Sequence, residues 1–164
     1  MSGRKILVAV DGSAPSKLAL RYAAGQCRTC GASILALRVI NTPRFSQWIA
    51  AHEKMEEELR EEAERVLGEA RAIAAEYGIE AATAAREGYP DEEIVKAAQE
   101  DPEVVMVVMG ASGKNVTQRK LLGSVTQKVV AAVNRSLPCP VVVVPGDEAF
   151  LGRLGMGPRF GVGR

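Results

Sequence analysis

The chain has 164 residues, enough for one domain with a sizeable hydrophobic core. Its formal net charge is only +1 and its aromatic content is 4%, which argues against attraction to nucleic acid or an acidic membrane and against base stacking on an exposed sheet. We therefore expect no nucleic acid and no membrane among its partners.

The apolar runs are too short to cross a bilayer, which takes about 20 residues in a helix. The first strand reaches Asp11 before the hydrophobic region of a signal peptide could form. The cysteines Cys27, Cys30 and Cys139 are too few for a disulfide framework. On these grounds we expect a cytoplasmic protein.

Strand and helix patterns alternate along the chain, with strands nearly continuous in Val, Ile and Leu and with helices that place apolar residues at steps of three and four. In chain order the sequence predicts a strand over residues 4–10, a helix from Ser13 to about Gly31, a strand over residues 33–40, a long helix over residues 55–77, a weaker strand over residues 79–86, a short helix from Tyr89 to residue 100, a strand over residues 104–109, a helix over residues 124–134 and a strand over Val141–Val144. This alternation is typical of an α/β domain with a parallel sheet and helices on both faces.

The segment Cys27-Arg28-Thr29-Cys30 matches the Cys-x-x-Cys pattern of redox and zinc sites. It falls at the end of the first predicted helix, where the helix dipole opposes formation of a thiolate. A zinc ion would need further ligands, and only Cys139 and His52 remain, far apart in sequence. A structural role is the favoured interpretation.

The end of the chain, residues 146–164, is rich in glycine and shows neither a helical nor a strand period. Its composition favours a flexible tail. The alternative is that its apolar residues, such as Phe150 and Leu151, dock on the body of the protein or on a partner.

A glycine pattern follows the strand over residues 104–109. It consists of Gly110-Ala111-Ser112-Gly113 and, after nine intervening residues, Gly123-Ser124 at the start of a helix. Glycines at the exit of a strand let a ligand approach the main chain closely. A helix that begins with Gly-Ser offers unpaired N–H groups and the positive end of its dipole to an anion. The pattern predicts a loop that binds a phosphate chain.

Two common phosphate loops do not fit this spacing. Gly113-Lys114 lacks the earlier glycine and the following hydroxyl residue of a P-loop, and Gly12 stands alone where a dinucleotide fingerprint needs three glycines. The spacing Gly-x2-Gly-x9-Gly-Ser instead resembles the ATP-binding motif of the universal stress protein family. The resemblance covers about residues 4–145, from the opening strand and its Asp11-Gly12-Ser13 to the closing segment 138–145.

The resemblance implies one open, doubly wound, five-stranded parallel sheet with strand order 3-2-1-4-5. A nucleotide-binding domain would then span residues 1–145, followed by the tail 146–164. In such a sheet a ligand binds beyond the carboxyl ends of the strands, where the strand order changes direction. This point lies between the first and fourth strands. The implied cofactor is ATP, with Mg or Mn carried by its phosphates, and ATP is expected to be preferred to GTP.

The resemblance further implies that main-chain groups near Val39 meet adenine and that Val10 and Asp11 lie beside the base or the ribose. Asp11 has a second interpretation, as a cap of the first helix. Lys114 and Arg119 either neutralise phosphate charge or face solvent. The full set of expected nucleotide-binding residues is Val10, Asp11, Val39, Gly110, Ala111, Ser112, Gly113, Gly123, Ser124, Val125 and Thr126.

No evident general base accompanies the glycine pattern, and His52, the only histidine, precedes the charged part of the long helix. Phosphoryl transfer needs a nucleophile, metal ligands and charge stabilisers together. We therefore expect an ATP-binding stress or regulatory protein whose nucleotide state tunes its partners. The alternative is a slow ATPase or self-phosphorylating protein, with Ser112, Thr117, Ser124 or Thr126 as acceptor. A third class, an interaction protein that no longer uses nucleotide, is disfavoured by the intact glycine spacing.

The last strand, Val141–Val144, is bracketed by Pro138, Pro140 and Pro145. Proline is tolerated mainly on edge strands and at strand starts. An open edge of four valines invites pairing with another chain. We therefore expect a homodimer paired through this strand, as the family resemblance also implies.

Overall fold

The computed structural model describes residues 3–41, 49–112 and 122–156. Within these residues strands and helices alternate as the sequence predicts. The elements are β1 Lys5–Ala9, α1 Ala14–Cys30, β2 Ser33–Ile40, α2 Ile49–Glu76, β3 Ala81–Glu87, α3 Pro90–Glu100, β4 Val104–Gly110, α4 Ser124–Ala131, β5 Val141–Val144 and α5 Ala149–Arg153.

The five strands form one parallel sheet in the order β3-β2-β1-β4-β5. The fold class and strand order expected from the family resemblance are confirmed. β1 lies at the centre, and successive side chains of a strand point to opposite faces. Ile6 and Val8 therefore lie in the core under α1 and α2, whereas Leu7 lies in the core under α3 and α4, and all three are fully buried.

The ends of α1 follow from its terminal residues. The Ser13 hydroxyl oxygen accepts a hydrogen bond from the Ser16 N–H at 3.3 Å, which caps the helix, and proline occupies the first turn. At the other end Gly31 adopts a left-handed φ of 70°, and its N–H donates to the Cys27 carbonyl at 2.9 Å. These contacts direct the chain into β2.

Helix α4 is shorter than predicted, ending at Ala131 rather than near residue 134. Beyond it the N–H of Ala132 donates to the Val129 carbonyl, a tighter turn than that of an α-helix. The Ala132 carbonyl then accepts from the N–H of Leu137, whose side chain is buried between α3 and α4. Burial of Leu137 therefore bends the chain away before the apolar helical pattern ends.

The longest helix, α2, buries an apolar stripe against β2 and β3 and carries charged residues on its other side. On that side Arg65 and Glu69 form an ion pair one turn apart at 3.1 Å. Within the described residues, no helix has both the length and the apolar character needed to cross a membrane.

The cysteine environment agrees with a structural role. Cys27 is buried near the carboxyl end of α1, and desolvation raises the pKa of its thiol to about 12. Cys30, one turn later, is exposed. A thiol with so high a pKa is almost wholly protonated at neutral pH and is a poor nucleophile.

The described part of the tail is folded. Helix α5 buries Leu151 against the body, and the Phe150 ring lies 6.3 Å from the Tyr22 ring of α1. Gly25 provides a notch for Met156, since a Cβ at Gly25 would lie 2.8 Å from the Met156 Cγ. For residues 149–156 a flexible tail is therefore the wrong interpretation, and docking on the body is the right one. Residues 157–164 lie outside the described part.

We expect Phe150→Ala to lower the free energy of unfolding by about 1–2 kcal/mol, because a half-buried ring leaves its contact with Tyr22. Leu154→Ala is the matched control, since Leu154 in the same segment is 52% exposed, and it should change stability by less than about 0.5 kcal/mol. Urea denaturation measures both. Equal effects of the two variants would show that α5 is not docked in solution.

Candidate functional site

A cavity of about 450 Å³ lies beyond the carboxyl ends of β1, β2 and β4. Its volume falls within the range of small-molecule and cofactor sites. It lies at the point where the strand order changes direction, as expected for an open α/β sheet. The walls come from the strand ends, from α2 and α3, and from the start of α4.

Most of the residues expected at a nucleotide site line this one cavity. They are Val10, Asp11, Val39, Gly110, Ser112, Gly123, Ser124, Val125 and Thr126. Ala111 is not among the lining residues. Its N–H donates to the Val144 carbonyl at 2.9 Å and its carbonyl accepts from the Gly123 N–H at 2.8 Å, so it joins β5 to the start of α4. Gly113, Thr117, Lys114 and Arg119 lie outside the described residues.

The turn between β1 and α1 holds Asp11 in place. One carboxylate oxygen of Asp11 accepts the Ser13 N–H at 2.9 Å, and Gly12 between them has a left-handed φ of 82°. The Ser16 hydroxyl donates to the Ser13 carbonyl at 3.0 Å. The helix-start interpretation of Asp11 thus accounts for one of its contacts: it shapes the turn, while Ser13 is the cap.

The start of α4 forms one end of the cavity. Gly123 is the N-cap residue, without a side chain to cap the helix, and the first intrahelical hydrogen bond runs from the Gln127 N–H to the Gly123 carbonyl at 3.0 Å. The N–H groups of Ser124, Val125 and Thr126 precede that bond and have no intrahelical acceptor. Together with the helix dipole they form an environment that favours an anion.

The Thr126 side chain has a different role from the one expected. It is buried, and its hydroxyl donates to the Gly110 carbonyl at 2.9 Å. This bond ties the end of β4 to the first turn of α4. Thr126 therefore offers its main-chain N–H toward the cavity, while its hydroxyl proton is held by the protein.

Gly110 is required by packing inside the protein. A Cβ at this position would lie 3.0 Å from the main-chain carbonyl carbon and oxygen of Pro15, in the first turn of α1. The sequence suggested that this glycine admits a ligand. In the structure its close neighbour is another helix, which allows α1 and β4 to approach each other.

The far end of the cavity lies at the end of β2. The Leu37 carbonyl accepts the Val10 N–H at 2.9 Å, whereas the Ile40 carbonyl accepts the Gly88 N–H on the other side of the strand at 3.0 Å. Main-chain groups alternate in direction along a strand, so those of Val39 face the same side as those of Leu37. Because β1 ends at Ala9, the Val39 groups lie above its end, toward the cavity.

Sequence analysis missed several lining residues. They are Ala9, Ser16, Leu37, Arg38, Asn41, Leu59, Pro90, Ile94 and Met109. The apolar ones look like ordinary core residues in the sequence. Arg38 is the exception, since a charged residue inside the apolar run of β2 is a signal that could have been noticed. Among the described lining residues, the ionisable side chains are those of Asp11 and Arg38.

The described residues contain no group of three or more His, Cys, Asp or Glu side chains placed to hold a metal ion. Mg²⁺ is commonly bound through substrate phosphates with few protein ligands.

We expect Gly110→Ala to destabilise the fold by about 1–3 kcal/mol, because the added methyl group meets the main chain of Pro15. Gly68→Ala is the control. Gly68 lies within α2 with room for a Cβ, so alanine there should stabilise by about 0.5–1 kcal/mol. Thermal unfolding of both variants checks the prediction, and a neutral Gly110→Ala would show that α1 is not so close to β4.

Three comparisons with known proteins bear on this site. The model of the universal stress protein family matches residues 3–145. A universal stress protein of Methanocaldococcus jannaschii is 34% identical over 143 residues, which cover 86% of this chain and 81% of that protein. The family match includes all five strands of the sheet.

Among solved structures, the universal stress protein UspA from Lactobacillus plantarum superposes with a TM-score of 0.77 at 24% identity, over 88% of this chain and 99% of that one. A universal stress protein from Archaeoglobus fulgidus, solved in complex with dAMP, has a TM-score of 0.65 at 24% identity, over 87% of this chain and 98% of that one. At this identity the likeness is one of fold.

Proposed function

This chain belongs to the universal stress protein family, and we propose that it binds ATP in the cavity beyond β1, β2 and β4. The observation that carries the proposal is that one cavity joins the uncapped start of α4 to the main-chain groups of Val39. The N–H groups at the start of α4 suit phosphates, and the main-chain groups of Val39 suit a base. The dAMP complex of the Archaeoglobus fulgidus protein supports the choice of an adenine nucleotide.

At the phosphate end, the N–H groups of Ser124, Val125 and Thr126 hold the anionic chain. Backbone amides at a helix start are already oriented, so they bind phosphate at little entropic cost. Gly123 has no side chain in the way, and its own N–H is bound to Ala111. A Mg or Mn ion carried by the phosphates neutralises their charge.

At the base end, the N–H and carbonyl of Val39 offer one donor and one acceptor side by side. Adenine presents the complementary pair on its Watson–Crick edge, the acceptor N1 and the amino group N6. Asp11 lies between this end and the phosphates and accepts a hydrogen bond from a ribose hydroxyl. Val10, Leu37 and Met109 supply apolar contact for the ring.

The site is better suited to holding a nucleotide than to hydrolysing it. Hydrolysis needs a group that positions and activates water, and Asp11, the one carboxylate among the described lining residues, is the group proposed to bind the ribose. We therefore propose a regulatory protein in which the nucleotide state of the site tunes partner choice. Slow hydrolysis or phosphate transfer to the exposed Ser124 is the alternative, and phosphate release on the same preparation distinguishes the two.

We expect Gly123→Val to weaken ATP binding by tenfold or more, because the branched side chain enters the phosphate end of the cavity. The fold should survive, since φ of −61° and ψ of 152° at Gly123 suit valine. Gly146→Val is the control, because no atom lies within 4 Å of a Cβ there. Calorimetry with MgATP measures both. Equal affinities, or no ATP binding at millimolar concentration by the folded wild type, would contradict the proposal.

We further propose that two copies pair through β5. The Pro140 carbonyl accepts the N–H of Val107 in β4, and the Val144 carbonyl accepts the N–H of Ala111 just after β4. The main-chain groups of Val141 and Val143 therefore face the open edge. The opposite edge strand, β3, carries charged side chains such as Arg86, which pairs with Glu93 and Glu100. Charged side chains on an edge strand disfavour pairing with another chain. β5 carries only valine. Pairing would satisfy its outward main-chain groups.

We expect Val143→Pro to convert the dimer to a monomer, because proline removes an outward N–H and leaves the bonds to β4 intact. Val143→Thr is the control, since it keeps both the N–H and the shape. Sedimentation at tens of micromolar protein measures the oligomeric state of the wild type and of both variants. The side chain of Val144 is a poor probe, because it is only 1% exposed. A monomeric wild type, or a dimeric Val143→Pro, would exclude pairing through this edge.

A further inference from the structure

The guanidinium of Arg38 lies at the base end of the cavity, on the main chain expected to read the base. Its Nη1 donates to the Val39 carbonyl at 3.1 Å. Its Nη2 lies 3.8 Å from a carboxylate oxygen of Glu62 on α2. The side chain is only 18% exposed, and it lines the cavity. Arg38 is therefore held in place beside the Val39 carbonyl.

The Arg38 guanidinium has more donors than the protein uses. It carries five N–H groups, and its Nε is buried without a hydrogen-bond partner among the described residues. The buried Nε is closed to a ligand as it is to water. Each terminal nitrogen carries two N–H groups and has one protein contact, so an acceptor atom of a ligand at the base end would pair with the N–H groups that remain.

The chemistry of Arg38 disfavours adenine relative to guanine. Adenine offers a guanidinium only N7 as an acceptor on its major-groove edge, because its N6 amino group is a donor. Guanine instead presents O6 and N7, two acceptors that match the arginine fork; this is the commonest specific contact of arginine with a base. The N–H and carbonyl of Val39 can also serve guanine, through its O6 and N1–H.

Resting on the proposed nucleotide function, we infer that Arg38 is a specificity-determining residue that lets this site accept 6-oxopurine nucleotides alongside ATP. The main chain of Val39 can pair with either purine. Arg38 adds donors that O6 and N7 of a 6-oxopurine can accept together. The native protein then binds both purine nucleotides with similar affinity.

The test is a calorimetric titration of the full-length protein with MgATP and with MgGTP. The wild type should bind the two with dissociation constants within about tenfold of each other. Arg38→Met should weaken GTP by about tenfold or more, the loss expected for a charged hydrogen bond, and leave ATP unchanged or tighter. Arg65→Met is the control: Arg65 is an exposed residue of α2 paired with Glu69, and its loss should alter neither affinity.

Arg38→Lys guards against loss of the fold, because it keeps a positive charge beside Glu62 but cannot form the planar fork. Arg38→Lys should shift the ratio of the ATP and GTP dissociation constants in the same direction as Arg38→Met. A wild-type preference for ATP above about tenfold would overturn the inference while the proposed function stands. So would an ATP-to-GTP ratio that both Arg38 variants leave unchanged. Failure of the wild type to bind either nucleotide would overturn the proposed function, and this inference with it.

Discussion

The placement of β1 between β2 and β4 is the constraint on which the rest of the structure depends. From β1 the chain builds the sheet to one side with α1 and α2 on one face, and later to the other side with α3 and α4 on the opposite face. Right-handed crossovers make that division of faces obligatory. The connections that follow β1 and β4 therefore leave in opposite directions, and a crevice opens above the two strand ends.

Short-range contacts turn that crevice into a defined cavity. Gly110 lets Pro15 approach the end of β4, Thr126 binds the Gly110 carbonyl, and Ala111 binds both β5 and Gly123. Each of these groups looked like a ligand contact in the sequence and proves to be partly or wholly structural. These contacts also fix the start of α4, whose first N–H groups lie at one end of the cavity.

Two features add to the sheet and its four helices. Helix α5 lies beyond residue 145, where the family match ends, and it covers part of α1 with Phe150 and Leu151. Arg38 places a positive charge, fixed by its contacts with Glu62 and the Val39 carbonyl, at the end of the cavity near β2. The first adds apolar burial to the body, and the second adds donors to the site. Neither depends on the glycine pattern.

The glycine spacing predicts a site at the end of β4, where a cavity lies. The sequence by itself also determined the alternation of β1 to β5 with α1 to α4 and the α/β fold class, because hydrophobic periodicity is a local signal. It did not determine the early end of α4, the docking of α5 or the contacts of Gly110 and Arg38. Those depend on which residues meet across the fold: Leu137 with the α3 and α4 core, Phe150 with Tyr22, and the Arg38 guanidinium with Glu62. Only the tertiary structure decides such contacts, because each joins two segments that are far apart in sequence. The distance between them in the fold cannot be inferred from the local sequence of either segment.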